Sequence, residues 1–445
     1  MVLINSNLPQ KCEDVKANNT TSSYLPVNTN GKNEFDWERV SAGVLRVIKK
    51  KKIEGLPLEK LAADSKQRFF ERQDDKRLWP IIEKMYFHND QLFKISLEFL
   101  LFKAQDRLVS SLEKRIVRMF ASMLQKDMAS SFTSKVNFLE KPMLDVVNSH
   151  MVDDKSLHSE EEAYLPFLEK ALTADIQFLL ERPKYLLSNF TSALEFYAFS
   201  YIAQLSLSIT EWHTKSAPEA KPLYFILEHE RASSEREHLK NHGFKLLKEC
   251  LPRLFPMLSM LELIQAKQKD NSDEKRLPLW AFAAKLESYG TEADLQRLKD
   301  FTIAFKEQRE LRHFLTTDFC VDKVLADIFE LAVEQFSKSA KGERHSANSK
   351  VVSSIYEMFS KSFVQSRGAY GNALVLKQDM LILLTNLTIG NQERLRLHEL
   401  IKGFEQRGVF LDKQTEQDLI GFYERIGNVE RMSDSGDAVY VRKTV

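Results

Sequence analysis

The sequence predicts a mainly α-helical protein, on three observations. Glycine (14) and proline (12) are scarce in 445 residues, roughly 3% each against a usual ~7% and ~5%. Phenylalanine is abundant, at 30. Apolar residues recur at i, i+3, i+4 and i+7 through most of the length, the spacing of one buried helix face. Few breakers and many long apolar side chains favour helices with short connections. The length allows two or three domains and a sizeable core. Composition divides it into a polar N-terminal tail (1–33), a helical body (34–270), a second helical segment (271–365) and a C-terminal module (366–445).

In chain order, residues 1–32 are polar and rich in Asn, Ser and Thr, and are expected to form a mobile tail or an irregular strap on the body. Residues 36–52 predict the first helix, with Val40, Val44, Val47 and Ile48 on one face. It ends in Lys49, Lys50, Lys51 and Lys52, which can hold a phosphate backbone or simply complement the helix dipole. Lys66, Arg68, Arg72, Lys76 and Arg77 follow, interleaved with Phe69, Phe70 and Trp79 but diluted by Glu71, Asp74 and Asp75. Residues 90–125 predict a long, strongly helical stretch. Pro142 and the polar run 153–156 predict a surface connection. A helical pair over 165–181 and 191–212 is parted at Arg182-Pro183, and 223–227 fit a short strand or a helix start. Residues 243–266 are helical with a break at Pro252 and Pro256. A charged linker over 267–275 leads to helices that run to about 338. Residues 337–350 carry the strongest interior loop signal, and 351–365 predict a further helix.

The most legible signals lie at the end. Residues 379–387 predict a buried apolar helix stopping before Gly390. Residues 395–404 predict a second, with Leu397, Leu400, Ile401 and Phe404 on one face, closed by Gly408 in a left-handed cap. Asp412 is the expected N-cap of a third helix running to about Ile426, with Thr415 and Glu416 in its first turn. Two extended runs, 429–433 and 438–443, are joined by the turn signal Asp434-Ser435-Gly436-Asp437. Three helices and a closing hairpin is the order of a winged helix, a relative of the helix-turn-helix.

Charge does not single that module out as a simple DNA binder. The third helix offers Lys413 and Arg425 against Glu416, Asp418 and Glu424, whereas phosphate contacts want Lys or Arg. The hairpin offers Arg431, Arg442 and Lys443. Overall, 64 Lys and Arg balance 63 Asp and Glu, which argues against a nucleic-acid coat protein but not against a local basic patch. Arg431, Arg442, Lys443, Lys413, Arg425 and Lys49–Lys52 are therefore the candidate contacts to double-stranded DNA.

The run Arg407-Gly408-Val409-Phe410-Leu411-Asp412, then Phe422-Tyr423-Glu424-Arg425-Ile426-Gly427-Asn428 onward to Arg442, resembles the C-terminus of the DptG (DndG) family of DNA phosphorothioation-dependent restriction proteins. So does Ser366-Arg367-Gly368-Ala369-Tyr370-Gly371-Asn372 onward to Leu376. The resemblance covers the last fifth of the chain. It implies a non-catalytic subunit of a bacterial defence complex, acting beside partners of the DptF and DptH type to restrict DNA that lacks phosphorothioate marks. Nucleotide chemistry would belong to those partners, and no cofactor is implied.

Chemical motifs agree with a non-catalytic role. No GxxxxGK[ST] or GxSxG occurs. Cys12, Cys250 and Cys320 are widely spaced, without a CxxC. With no charged-then-apolar leader and no apolar run of ~18 residues, a cytoplasmic protein without a membrane anchor is expected. The competing enzyme reading is a metal-dependent nuclease using His238 and His242, which share a helix face at i, i+4. This is not HExxH, because Glu237 precedes the first histidine.

Overall fold

The computed structural model describes residues 3–16, 19, 22–29, 33–72, 76–88, 91–105, 109–125, 136–154, 161–266, 275–338, 343–432 and 438–445. It is mainly helical, as expected. The chain forms two compact units. One comprises Glu34–His158 and Leu172–Phe196. The other comprises Met1–Asn33, Ser159–Ala171 and Tyr197–Thr444. Two of the boundaries between them fall within α7 (Pro166–Leu180) and α8 (Pro183–Ser208).

The smaller unit holds α1 (Trp37–Lys49), α2 (Leu58–Phe70), α3 (Trp79–Tyr86), α4 (Leu97–Leu100), α5 (Ser111–Ser122) and α6 (Lys141–Ser149). Asp36 caps α1 by accepting from the Glu38 N–H at 2.8 Å. Ser110 and Glu113 form a reciprocal capping box on α5. Lys50 takes a left-handed conformation (φ 53°) and ends α1. The chain then enters β1 (Lys51–Ile53), antiparallel to β2 (Met151–Asp153). The stretch 90–125 is helical but broken among its described residues: two 3-10 turns and the single-turn α4 precede α5. Of the expected surface connection at 153–156, exposed Asp153 ends β2, Asp154 is buried, and 155–156 lie outside the described residues.

The larger unit begins with the N-terminal stretch as a strap. Ile4, Leu25 and Val27 are buried, and the Tyr24 hydroxyl donates to the Glu162 and Arg276 carbonyls at 3.1 Å. Then come β3 (Ile226–Leu227), α9 (Glu237–His242), α10 (Phe244–Cys250), α11 (Leu254–Ile264), α12 (Leu279–Tyr289), α13 (Glu292–Arg309), α14 (Val321–Glu334) and α15 (Arg344–Ile355). The expected helix over 351–365 stays helical to Phe363 but changes form: a π-helical turn, Tyr356–Ser360, and a 3-10 turn, Lys361–Phe363, lead to β4 (Val364–Ser366). β4 pairs antiparallel with β5 (Asn372–Leu376), and β3 pairs parallel with β5 on its other side. So residues 223–227 contain a strand, not a helix start.

The last elements are α16 (Gln378–Ile389), β6 (Arg394–Arg396), α17 (Leu397–Glu405), α18 (Lys413–Arg425), β7 (Val429–Met432) and β8 (Ala438–Arg442). The three strands form an antiparallel sheet in the order β6-β8-β7. The predicted second helix thus starts two residues late, because Arg394–Arg396 is strand. Tyr423 of α18 and Thr385 of α16 share a buried hydroxyl–hydroxyl bond of 2.5 Å. Thr444 exchanges two 2.8 Å hydrogen bonds with Asn386, tying the chain after β8 to α16. The predicted turn residues 434–437 lie outside the described residues.

Gly408 has φ +81°, as its capping role requires. A Cβ there would lie 2.9 Å from Gln204 and Ser200 side-chain atoms. Gly408→Ala is therefore expected to destabilise by about 1–2 kcal/mol from backbone conformation alone, plus the cost of moving those side chains. A lowered urea midpoint at unchanged slope is the readout.

Candidate functional site

The C-terminal sheet has two unlike faces, set by strand alternation. Leu395, Val429 and Val441 are in register on one face, and Val441 is fully buried. Arg394 lies opposite Arg442, Arg396 opposite Tyr440, and Tyr440 opposite Glu430, all on the other face. Three guanidiniums thus gather around one aromatic ring and one carboxylate. Arg394 lies over the Tyr440 ring at 4.8 Å and Arg396 at 5.8 Å. The Arg396 Nε donates to the Tyr440 hydroxyl at 3.1 Å. Glu430 accepts from Arg394, and from Arg442 at 2.8 Å. Those two hydrogen bonds, Arg394 first, hold its carboxyl below the usual glutamate value. The sequence reading missed Arg394 and Arg396. The polar-apolar-polar alternation of Arg394-Leu395-Arg396 was the available signal.

The other candidate cations are dispersed. Arg431 pairs with Glu424 of α18 at 2.5 Å. Lys443 donates to the Gly390 carbonyl at 3.1 Å. Lys413, 93% exposed in its side chain, reaches Glu416 at 3.3 Å. Arg425 lines a cleft of about 230 Å³ between α18, the turn after β3 and the start of α16. Glu228, His229, Gln378, Asp418 and Phe422 also line it. Glu228 accepts from the Gln378 backbone N–H at 3.3 Å, and the Gln378 amide donates to His229 Nε2 at 2.9 Å. Carboxylates from two walls make this cleft a poor seat for phosphate.

The lysine run is used inside the smaller unit. Lys49 pairs with buried Glu98 at 3.4 Å, and burial pulls its pKa down. Lys51 pairs with Asp153 at 2.6 Å and Lys52 with Glu54 at 3.3 Å, while Lys50 forms the left-handed cap. In the second basic group, Phe69 and Trp79 are core residues 6.2 Å apart, and Arg72 pairs with Asp145 at 2.8 Å.

A buried ionic hub sets the position of α18. Asp412 caps the helix, accepting from the Thr415 N–H at 3.0 Å. Arg236 donates to both Asp412 oxygens, to the Thr415 hydroxyl at 2.7 Å and to Glu230. The Thr415 hydroxyl donates to Glu230 at 2.9 Å, and Glu230 also accepts from the Leu227 N–H at 2.9 Å. Side-chain exposures are 8% for Arg236, 2% for Glu230 and 10% for Asp412. Burial pushes the Glu230 carboxyl up, and its hydrogen bonds only partly offset this. Burial also raises Asp412, but Arg236 and Thr415 outweigh it and hold that carboxyl below the usual aspartate value. Asp412 and Thr415, in the first turn of α18, were legible beforehand. Arg236 and Glu230 lie about 180 residues away, beyond the reach of local spacing.

His238 stacks on Tyr224, with centroids 5.0 Å apart, and His242 lies 6.3 Å from the same ring. Their shared face therefore flanks an aromatic ring. Among the described residues, no group of three or more His, Cys, Asp or Glu is placed to hold a metal ion. Among the same residues, no helix is long and apolar enough to cross a membrane. No protein-family profile matches the chain, and no curated protein matches it.

Proposed function

We propose that this chain is a non-catalytic, cytoplasmic subunit of a phosphorothioation-dependent DNA restriction complex, assembled with partners of the DptF and DptH type. Its C-terminal module works as a winged helix. The order helix, strand, helix, helix, strand, strand, with the first strand against the last, supports that reading. The resemblance of 366–376 and 407–442 to the DptG family supplies the restriction system.

The observation that carries the DNA-contacting part is the outward sheet face, where Arg394 and Arg396 lie over Tyr440 and Arg442 stands opposite Arg394. Duplex phosphates are met by the sheet. The mixed-charge face of α18, with its cleft, is left for a protein partner. This differs from a helix-in-groove reader, whose recognition helix carries the positive charge.

The test is reconstitution in cells. Plasmid with and without phosphorothioate is challenged with the partner subunits alone, with this chain added, and with an Arg394/Arg396/Arg442→Ala variant. Restriction of unmarked DNA should require the chain and fall in the variant. Full restriction by the partners alone would remove the proposal.

A further inference from the structure

The segment joining α13 to α14, residues 310–320, forms neither helix nor strand, yet it is pinned on both sides of Phe314. The Arg312 and His313 N–H groups donate to the Glu334 carboxylate at 2.9 and 3.1 Å. Asp327 accepts from the Thr316 N–H at 2.8 Å and shares a 2.8 Å hydrogen bond with His313 Nε2. The Lys299 ammonium donates to the Thr317 carbonyl at 3.4 Å and lies 5.5 Å from the Phe319 ring centroid. Burial alternates along the segment: Leu311 is buried, His313 and Leu315 are half-buried, and Arg312 and Phe314 are exposed. That is the pattern of an extended chain laid on a body. Its outward positions suit polar residues, and Arg312 is one. Phe314 is instead 91% exposed.

Next to it in sequence, Leu315 lines an apolar groove of about 320 Å³ between α13, this segment and α14. Ile303 and Val324 form its other apolar walls. The volume falls in the ~300–1,000 Å³ range of ligand clefts, ample for one phenyl ring. Ile303 is 41% exposed, and Phe319, beside Lys299, is 40% exposed. One exposed apolar side chain is ordinary. A held-out aromatic beside an apolar groove, with two more exposed apolar side chains around it, marks a contact surface. Phe314 does not fill the groove of its own chain, because the backbone on either side of it is fixed with the ring turned outward.

We propose that this face joins two copies of the chain, with Phe314 of each copy seated in the groove of the other. The adjacency of ring and groove favours a second copy as the occupant. A two-fold axis between them satisfies both contacts at once and closes the assembly. On separate faces the same contact would run on into open chains. The flanking charges agree. Arg312 and Asp318 are both exposed and of opposite sign, so a second copy meets complementary charge instead of a single-sign field. The segment is already held, so docking orders little further chain. The inference is independent of the DNA reading, which uses none of these residues.

The experiment is sedimentation of the full chain over roughly 1–100 µM, where modest interfaces associate. The wild type should pass from monomer to dimer and stop there. Phe314→Ser removes the ring, and Ile303→Glu puts a charge on the groove wall. Each should weaken dimerisation by roughly tenfold or more, as loss of a buried aromatic anchor does. Neither side chain is in the core, so both variants should melt with the wild type in dilute solution. Mixing the two variants is the decisive arm. Neither variant alone can form an intact ring-in-groove contact. A mixed pair has one, made by the ring of Ile303→Glu in the groove of Phe314→Ser. The mixture should therefore dimerise more strongly than either variant by itself. A wild type that stays monomeric, or that grows beyond the dimer, overturns the proposal. So does a variant that dimerises as the wild type does, or a mixture no stronger than its parts.

Discussion

Replacing Arg236 by methionine is expected to destabilise the protein by about 3–5 kcal/mol at neutral pH, the usual cost of removing one partner from a buried ionic network. Methionine keeps much of the apolar stem, so the loss reports the charge rather than a cavity. Glu230 and Asp412 would lose their shared guanidinium, and the Thr415 hydroxyl would lose a donor. Arg236 also bridges Glu230, in the turn after β3, to Asp412 at the N-terminus of α18. Chemical denaturation at several pH values checks the expectation. A loss under 1 kcal/mol at neutral pH would show that the hub does not hold α18.

The pH dependence follows from the two carboxyls, which are shifted in opposite directions. Asp412 is held below its unfolded value, so its contribution is present above the ordinary aspartate range and is lost as pH falls through its lower folded value. Glu230 is raised, so the folded state prefers its protonated form, and ionising it on the way to neutral pH costs stability. Without Arg236 both carboxyls are pushed up by burial. The deficit of Arg236→Met should then be largest at neutral pH and shrink steadily as pH falls toward the ordinary carboxylate range. A companion Arg236→Met/Glu230→Gln variant should recover part of the loss at neutral pH, because one of the two buried charges is gone.

These residues also show where sequence reading succeeds and where it stops. Asp412, Gly408 and the apolar faces of α16 and α18 were legible because capping chemistry and helical spacing act over four residues or fewer. Leu395 and Arg396 were misread as a helix start because Leu395 fits a helical spacing as well as a strand alternation. Its pairing with β8, more than 40 residues later, decides the matter. The lysine run looked like a binding feature because its acidic partners, Glu98 and Asp153, arrive from other elements. The hub was invisible for the same reason. Local signals placed the module; long-range pairing decided which of its charges face outward.

Replacing Arg394, Arg396 and Arg442 together by alanine is expected to weaken duplex-DNA binding of the full chain by roughly 10- to 100-fold at moderate salt, if each arginine meets one phosphate. The sharper readout is the salt slope. Each phosphate contact releases counterions worth ~0.9 in the slope of log affinity against log salt, so three lost contacts should flatten it by about 2.7. Glu430 tempers this, since it already neutralises part of Arg394 and Arg442; a flattening nearer ~2 would mean that one guanidinium serves Glu430 instead of DNA. Two control variants separate the sheet from the other candidates. Lys50/Lys51/Lys52→Ala should bind as the wild type does, because Lys51 and Lys52 are committed to ion pairs on and beside β1. Lys413/Arg425→Ala should change affinity less than the sheet variant, because Glu416, Glu424 and Asp418 share that helix. Fluorescence anisotropy at several salt concentrations measures all four proteins. Should the triple arginine variant keep both the affinity and the slope of the wild type, the sheet face is not where DNA is met. Should Lys413/Arg425→Ala alone collapse binding, α18 is the reader despite its acids, and the module contacts DNA through the helix.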